Sequence, residues 1–549
     1  MLKLQMSCKR EKYDGLLSGR WMVVCVLSFL IANTVVAQEP VDTESNESAD
    51  VTQAVDQFIR EGFGRFGVEP SPRCEDDRFV RRIYLDLAGR IPTRGETQQW
   101  MASSRDRVEL IDQLLQSEDF VRHFADLFDA ILMGRSSEKK YQERQANHWR
   151  SYLERTIRDN RPWPEVVEEI LLARPEDADA QGAVWFLYER NNDFQKIAES
   201  IAPSIFGVRI ECAQCHDHMM ADEIKQAHYW GLVAFFNRGK NSKDGGKLSV
   251  DESAVGGFSD FADLSGSSTP NYLAFLDAET VPEDRPAADS EEKDSEDLYV
   301  SHPSPLVNRV PKFSRRERFV KDVVRNHPRL AQAFANRVWA ILMGRGLVHP
   351  YDQMDSMHAP SHPELLNWLA TDVRESNYDL RRLVRGIVLS DAYQQSSVRR
   401  KGHEDPSSFA WYLERPLTGE QLARSVVVSL RDAADASEIA AFRQQFSEVL
   451  PSDFVSTVKD ALFLTNGEPL DRLINSSQQA SHLIPQLLAA DSSQSQVQVL
   501  FQALYCREAD DIEKEAVVSY LSEHSGSPAE AMKQVVWSML SSAEFRLNH

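Results

Sequence analysis

The sequence predicts a mainly α protein: two helical domains joined by an irregular, acidic linker. Three observations carry that expectation. Apolar residues recur at helical spacing through residues 51–238 and again through 313–549, and that periodicity disappears between Gly239 and Lys312. In the gap, turn-forming and acidic residues take over. A chain of 549 residues exceeds one ordinary core, and 42% hydrophobic with 27% charged residues is the balance of a globular protein. The 62 basic and 84 acidic side chains give a net charge of −22. A field of that sign repels nucleic acid and anionic membrane surfaces, which need Lys and Arg to displace counterions. Nucleic-acid binding is excluded as a main function.

The N-terminus reads as an export signal. Lys3, Lys9, Arg10 and Arg20 precede WMVVCVLSFLIANTVVA, 17 mostly apolar residues from Trp21 to Ala37, where small residues meet polar sequence at Gln38. Residues 1–37 are therefore expected to be a signal peptide, placing the protein in the periplasm or cell envelope of a bacterium. Retention as a single membrane anchor is the alternative, although the span is slightly short and Ser28, Asn33 and Thr34 weaken it. No other stretch is long and apolar enough to cross a bilayer. Residues 38–50, QEPVDTESNESAD, read as a disordered spacer.

The first helical domain spans 51–238. Phe79, Ile83 and Leu87 fall four apart on one helix face, and Gly89 can end that helix. Thr93 and Glu96 have capping-box spacing for the next. Further helices are expected near 106–116, 119–133, 143–159, 164–173 and 193–206, and KQAHYWGLVAFFNR is aromatic enough to be buried. Residues 239–312 hold KDGGK, VGGFSD and SGSSTP, with room for short strands, and then the run PEDRPAADSEEKDSED, expected to be a solvated linker.

The second domain, 313–549, opens with Leu330, Phe334, Val338, Ile341 and Leu342 in one stripe, capped by Gly344 or Gly346. Ser361 and Glu364 suggest another capping box, with His362 structural. Helices continue through DLRRLVRGIVLS, TGEQLARSVVVSL and the closing WSMLSSAEFRLNH. FADLFDAILMGR at 124–135 echoes FANRVWAILMGR at 334–345. Ancient duplication would explain this, and so would two amphipathic helices that meet similar packing demands.

The chemistry-bearing stretch is IECAQCHDHMM, Ile210 to Met220. Of the six cysteines, four lie beyond the export signal: Cys74, Cys212, Cys215 and Cys506. In an oxidising compartment these should be disulfides, metal ligands or haem thioethers. Cys74 and Cys506 could pair, or stand as buried inert thiols. Cys212, Ala213, Gln214, Cys215 and His216 form C-x-x-C-H, the attachment pattern of haem c. On a short helical turn two thiols so spaced reach two vinyl groups, and the adjacent histidine comes under the iron as proximal ligand. His218, Met219 and Met220 are too close to supply a sixth ligand, which would have to come from His228 or a histidine of the second domain. His218 could orient a ligand or substrate without binding the iron itself. Two other readings stay open: Cys212, Cys215, His216 and His218 could hold zinc or another transition metal, or the two thiols could form a disulfide. No Walker loop, nucleophile elbow, H-E-x-x-H or dinucleotide fingerprint occurs.

FVRRIYLDLAGRIPT, LIDQLLQSEDF and FGVRIECAQCHDH…HYWGLVAFF resemble a domain of unknown function 1549. The stretch ANRVWAILMGRGLVHPYDQMDSMHAPSHPELLNWLATDVRESNYDLRRLVRGIVLSDAYQQSS, with ALFLTNG and SSAEFRLNH, resembles a domain of unknown function 1553. The pair is best known from exported planctomycete proteins often linked to cytochrome c-like modules. The resemblance implies export, a mainly α fold and a C-x-x-C-H-x-H site on Cys212, Cys215, His216 and His218. Where the family follows its second histidine with Pro or Lys and then Phe-Asp, this chain has Met219, Met220 and Ala221. No second C-x-x-C-H exists, so electron transfer would need a redox partner. Two functions are thus expected: an exported haem protein in electron transfer or an oxidative reaction, or an envelope binding or scaffold protein whose cluster holds a metal or disulfide.

Overall fold

A computed structural model describes residues 50–244, 247–287, 292–402, 404–431, 436–446, 468–476 and 479–549. The signal segment, the spacer before Asp50, part of the acidic run and ALFLTNG lie outside these residues. Among the described residues no helix is long and apolar enough to cross a membrane.

Asp50 accepts a hydrogen bond from the backbone N–H of Thr52 and starts α1, Val51–Phe66. In α2, Asp76–Ile83, Phe79 and Ile83 are fully buried as the stripe requires. The helix then widens into a π-helical turn, Tyr84–Ala88, before Gly89 ends it at φ 66°. The capping box forms as expected: Glu96 N–H donates to Thr93 Oγ1 at 3.1 Å and Thr93 N–H to Glu96 Oε2 at 2.7 Å, opening α3, Arg94–Ala102. There follow α4, Arg107–Leu115, and α5, Glu118–Met133. The single helix expected over 143–159 is instead a pair, α6, Glu138–Ala146, and α7, Trp149–Arg158. The break falls where His148 enters the left-handed region at φ 65°. Next come α8, Trp163–Leu172, one turn of α9, Trp185–Tyr188, and α10, Phe194–Phe206. After the cysteine cluster comes α11, Gln226–Phe236, aromatic and largely buried.

Among the described residues, the region between the helical domains holds three antiparallel strand pairs, β1 (Gly239–Asp244) with β2 (Lys247–Glu252), β3 (Asp260–Ala262) with β4 (Ser268–Pro270), and β5 (Tyr299–Val300) with β6 (Val310–Pro311). It is more built-in than its composition suggests. Glu252 is 4% exposed and pairs with Arg174 at 2.8 Å and Arg316 at 3.3 Å. Glu283, expected in the solvated linker, is drawn inward by Arg238 at 3.0 Å and Arg315 at 2.7 Å. Both arginines are buried, so a carboxylate must accompany them.

The second domain begins with α12, Arg315–Arg318, and a π-helical stretch, Phe319–Val324. The predicted stripe lies in α13, Pro328–Met343, capped by Gly344 at φ 76°. The Ser361–Glu364 box does not form. His362 takes the N-cap position of α14, Pro363–Glu375, without a side-chain cap, and Glu364 turns to Arg65 of α1 at 3.3 Å. Pro363 at N1 needs no capping partner, which removes part of the demand. His362 itself is buried between Phe66 and Phe409, a structural role as expected. After α15, Leu380–Leu389, and α16, Gly419–Leu430, the described C-terminal helices include Ser493–Leu504, Asp511–Glu523 and Pro528–Ser541.

Both sequence regions are helical, and they share one core. α1 packs on α14 and α15, α10 packs against both α5 and α13, and α3 packs on Ser493–Leu504. The residues from Asp50 onward belong to one compact unit. α5 and α13 are the two helices of the sequence echo, and both meet α10, which leads into the cysteine cluster.

Candidate functional site

α10 ends at Gly207, φ 66°, and only glycine suits this position. A Cβ there would stand 2.8 Å from Met354 Sδ and 3.1 Å from the Cβ of Ala333. The closeness seats the 351–358 loop of the second domain: Met354 N–H donates to Gly207 O at 2.7 Å, and Arg209 pairs with Asp352 at 2.8 Å. Val208 and Ile210 are buried and anchor the chain as it emerges.

Next comes a 3-10 turn, Glu211–Gln214, with Ala213 buried beneath it and Cys212 and Cys215 exposed. Cys212 lies within this turn and Cys215 caps its end. Gln214 O accepts from Gln226 Nε2 at 3.1 Å and from the Trp230 indole at 3.0 Å. Asp217 accepts from Gln226 N–H at 2.9 Å and pairs with Lys225 at 3.3 Å. The Gln226 N–H, with Lys225 assisting, holds the Asp217 carboxyl below its usual range. The loop is thus pinned to the start of α11 at several points. Gln226 Nε2 also donates to Ala262 O of β3 at 2.9 Å, bringing the β3–β4 hairpin alongside.

The histidines divide by what their rings do. His216 Nδ1 lies 2.6 Å from the backbone oxygen of Asp217, and since a carbonyl only accepts, Nδ1 carries the proton and Nε2 keeps its lone pair. That is the tautomer a metal-binding imidazole needs. His218 is used differently. Its Nδ1 accepts from Ala221 N–H at 2.9 Å and Met220 N–H at 3.3 Å, closing the turn after the cluster. His218 is therefore a turn cap first, and it could ligate a metal through Nδ1 only if the turn opened. His228 is likewise engaged: Nδ1 accepts from Lys225 N–H at 3.1 Å, and burial pushes its pKa down. Of the second-domain histidines, His358 stands on the loop that meets the cluster, where Ser356 donates twice to Glu223, at 2.7 and 2.8 Å. His358 Nδ1 is held by Asp355 at 2.7 Å. Met219 and Met220 are 80% and 63% exposed.

The four cysteines of the described chain are free thiols. The possible Cys74–Cys506 bridge is not made. Cys74 is buried beside Arg107, and Cys506 is buried with its pKa raised by that burial against the attraction of Arg81. Among the described residues no three His, Cys, Asp or Glu side chains converge as a metal-ligand set.

Sequence reasoning missed a second polar centre. Asp86, in the π-helical turn, is 1% exposed and accepts from four donors: Arg415, Asn548 Nδ2 at 2.7 Å, Tyr393 OH at 2.7 Å and Tyr412 OH at 3.0 Å. Arg82 lies 3.6 Å over the Tyr412 ring. Beside this hub is a cavity of about 30 Å³, lined by Asp86, His123, Arg345, His349, Tyr351 and Arg415, with room for about one water. The one available signal was a lone Asp inside the apolar run IYLDLAG. Its partners lie more than 300 residues away and could not be named from it.

No curated protein and no solved structure matches the chain. Two family models do: one described as Protein of unknown function (DUF1549) over residues 54–241, the other as Protein of unknown function (DUF1553) over residues 315–431. The cysteine cluster falls inside the first match and the loop seated against it inside the second. The chain is therefore a paired-domain protein, a domain of unknown function 1549 followed by a domain of unknown function 1553.

Proposed function

We propose that this is an exported protein that carries one covalently attached haem c and serves electron transfer or an oxidative reaction. The observation that carries this reading is the state of the five-residue motif. Cys212 and Cys215 are free and exposed, one within and one capping a single helical turn, and His216 Nδ1–H is spent on a backbone carbonyl so that Nε2 is left as the donor. The donor set therefore fits the group: the two thiols would form the thioether links and His216 would be the proximal ligand. Bound there, haem would supply one-electron chemistry. The chain's own part is to hold the motif still, through Gln226, Trp230 and Lys225, and to fix the tautomer of His216. His218 shapes the turn beside it rather than adding a ligand. Export to the periplasm or envelope, where the N-terminal segment would direct the chain, agrees with covalent haem attachment.

The test is the visible spectrum after co-expression with a c-type maturation system. A Soret band, with haem that survives denaturation and is lost in Cys212→Ser, is expected; an unpigmented protein would overturn the reading.

A second reading rests on the same exposed thiols two residues apart. In an oxidising compartment they could close a Cys212–Cys215 disulfide in an envelope binding or scaffold protein. Zinc draws less support, because His218 Nδ1 is already committed to backbone N–H groups. Absence of haem, with no titratable thiol at these positions in protein recovered from the periplasm, would favour the disulfide. One equivalent of zinc would favour the metal.

A further inference from the structure

Ten large apolar side chains are exposed among the described residues, and five of them, Met219, Met220, Leu264, Tyr272 and Met357, lie on three short segments. The segments, 211–223, 260–272 and 352–358, are tied together around the cysteine cluster. Gln226 bonds both Gln214 and Ala262, and Ser356 bonds Glu223. Exposed apolar side chains scattered singly need no explanation, but a gathering of them does. Their charges are as uneven. The three segments hold Glu211, Asp217, Asp222, Glu223, Asp260, Asp263, Asp352 and Asp355, and no Lys or Arg. Asp352 is buried against Arg209 and the Asp355 side chain is buried against His358, while Lys225 pairs with Asp217 and Arg285 with Asp260; Glu211, Asp222 and Asp263 are exposed and form the acidic rim.

We infer that this face docks a partner protein whose own contact face is apolar at its centre and rimmed by Lys and Arg. Methionine supplies an adaptable contact surface, and the acidic rim selects a basic partner and speeds encounter, helped by the chain's net charge of −22. The loop's hydrogen bonds hold the face in shape before binding, which lowers the ordering cost. The inference stands on the loop and its neighbours, so it holds with or without haem on Cys212 and Cys215. Its test reads binding rather than colour.

The probe is a soluble, lysine-rimmed basic cytochrome c, titrated calorimetrically into the full chain, with hydrogen exchange locating the contact. Binding at low ionic strength should protect 211–223, 260–272 and 352–358, and should weaken about tenfold between ~20 and ~200 mM salt. Met219→Ser with Met220→Ser should cost about tenfold in affinity, and Glu211→Gln with Asp222→Asn about threefold. Glu515→Gln with Glu523→Gln, on the exposed face of the helix Asp511–Glu523, should cost nothing. No binding at low salt overturns the inference. So does protection elsewhere on the chain, or equal weakening by the Glu515 and Glu523 pair, which would mark a general attraction of opposite charges. Should the methionine variant aggregate, the Glu211 and Asp222 variant still decides.

Discussion

The Asp86 hub and the Cys212–Met220 loop are both polar, and they are built on opposite terms. At the hub a buried carboxylate meets four donors, and its partners come from Arg415, Tyr393, Tyr412 and Asn548, all distant in sequence. Burial pushes the Asp86 pKa up while Arg415 and the two tyrosines oppose it. Each oxygen of Asp86 accepts from two of these donors, so the carboxylate itself is fully engaged. At the loop, hydrogen bonds to Gln214, Asp217 and His218 hold the backbone, while the two thiols and two methionines are exposed and His216 keeps Nε2 as a lone-pair donor. Saturation marks the joint between the two helical regions; unspent capacity marks the loop where the proposed chemistry would sit.

The largest effect should come from breaking the hub. Asp86→Ala leaves Arg415, whose side chain is only 13% exposed, without its counter-charge and should cost about 3 kcal/mol, read as a lower urea midpoint. Replacing Arg415 by Met in the same chain should restore part of that loss, since removing both charges avoids the uncompensated one. Should the Asp86→Ala midpoint stay near wild type, the hub is not the joint described here.

Gly207 seats the 351–358 loop of the second domain ahead of the cluster, and it tests whether the cluster depends on that domain. Gly207→Ala places a Cβ 2.8 Å from Met354 Sδ at a φ of 66°. About 1–3 kcal/mol should be lost, and proteolysis should quicken within 211–223 as the 351–358 loop lifts. Unchanged cleavage would mean that the cluster holds itself.

These contrasts explain what the sequence could reveal. The Thr93–Glu96 box, the α13 stripe and the C-x-x-C-H motif are local, with every partner within a few residues, so pattern alone finds them. His216's tautomer was not legible, because it depends on the direction of one carbonyl. Nor was the fate of Glu283, since the arginines that draw it inward lie at 238 and 315. The Ser361–Glu364 box failed for the same reason: a residue from α1, Arg65, competes for the glutamate. Spacing sees competitors only when they are near in the chain.

Acid should weaken the buried side of the comparison. His123, lining the cavity beside Asp86, has its pKa pushed down to about 3 by burial and by Arg424, and His362 to about 4 by burial and by Arg65. The unfolded chain takes up these protons near pH 6.5, while the folded chain refuses them until far lower. Between about 6.5 and 4 the unfolded state thus binds more protons, and stability falls as pH falls, by at most about 1.4 kcal/mol per unit for each histidine. The urea midpoint followed from pH 7 to 4.5 checks this, and His362→Leu should flatten the slope. Carboxylates held below their usual range, such as Glu96 and Glu252, add their loss only below about pH 4.5.

The smallest effect on stability is expected at the proposed attachment site. Cys212 and Cys215 are exposed, and the loop is held by buried Ala213 and by the hydrogen bonds of Gln214 and Asp217 rather than by either thiol. Replacing both cysteines by serine should therefore shift the unfolding midpoint by no more than about 0.5 kcal/mol. The same change should abolish haem attachment, or the reaction with a thiol reagent, completely. A loss of stability as large as that of Asp86→Ala would place the thiols among the structural parts of the protein and dissolve the contrast between the two centres. A silent substitution in folding that is total in chemistry would confirm that the chain spends its buried polar groups on holding the domains together and keeps this turn free.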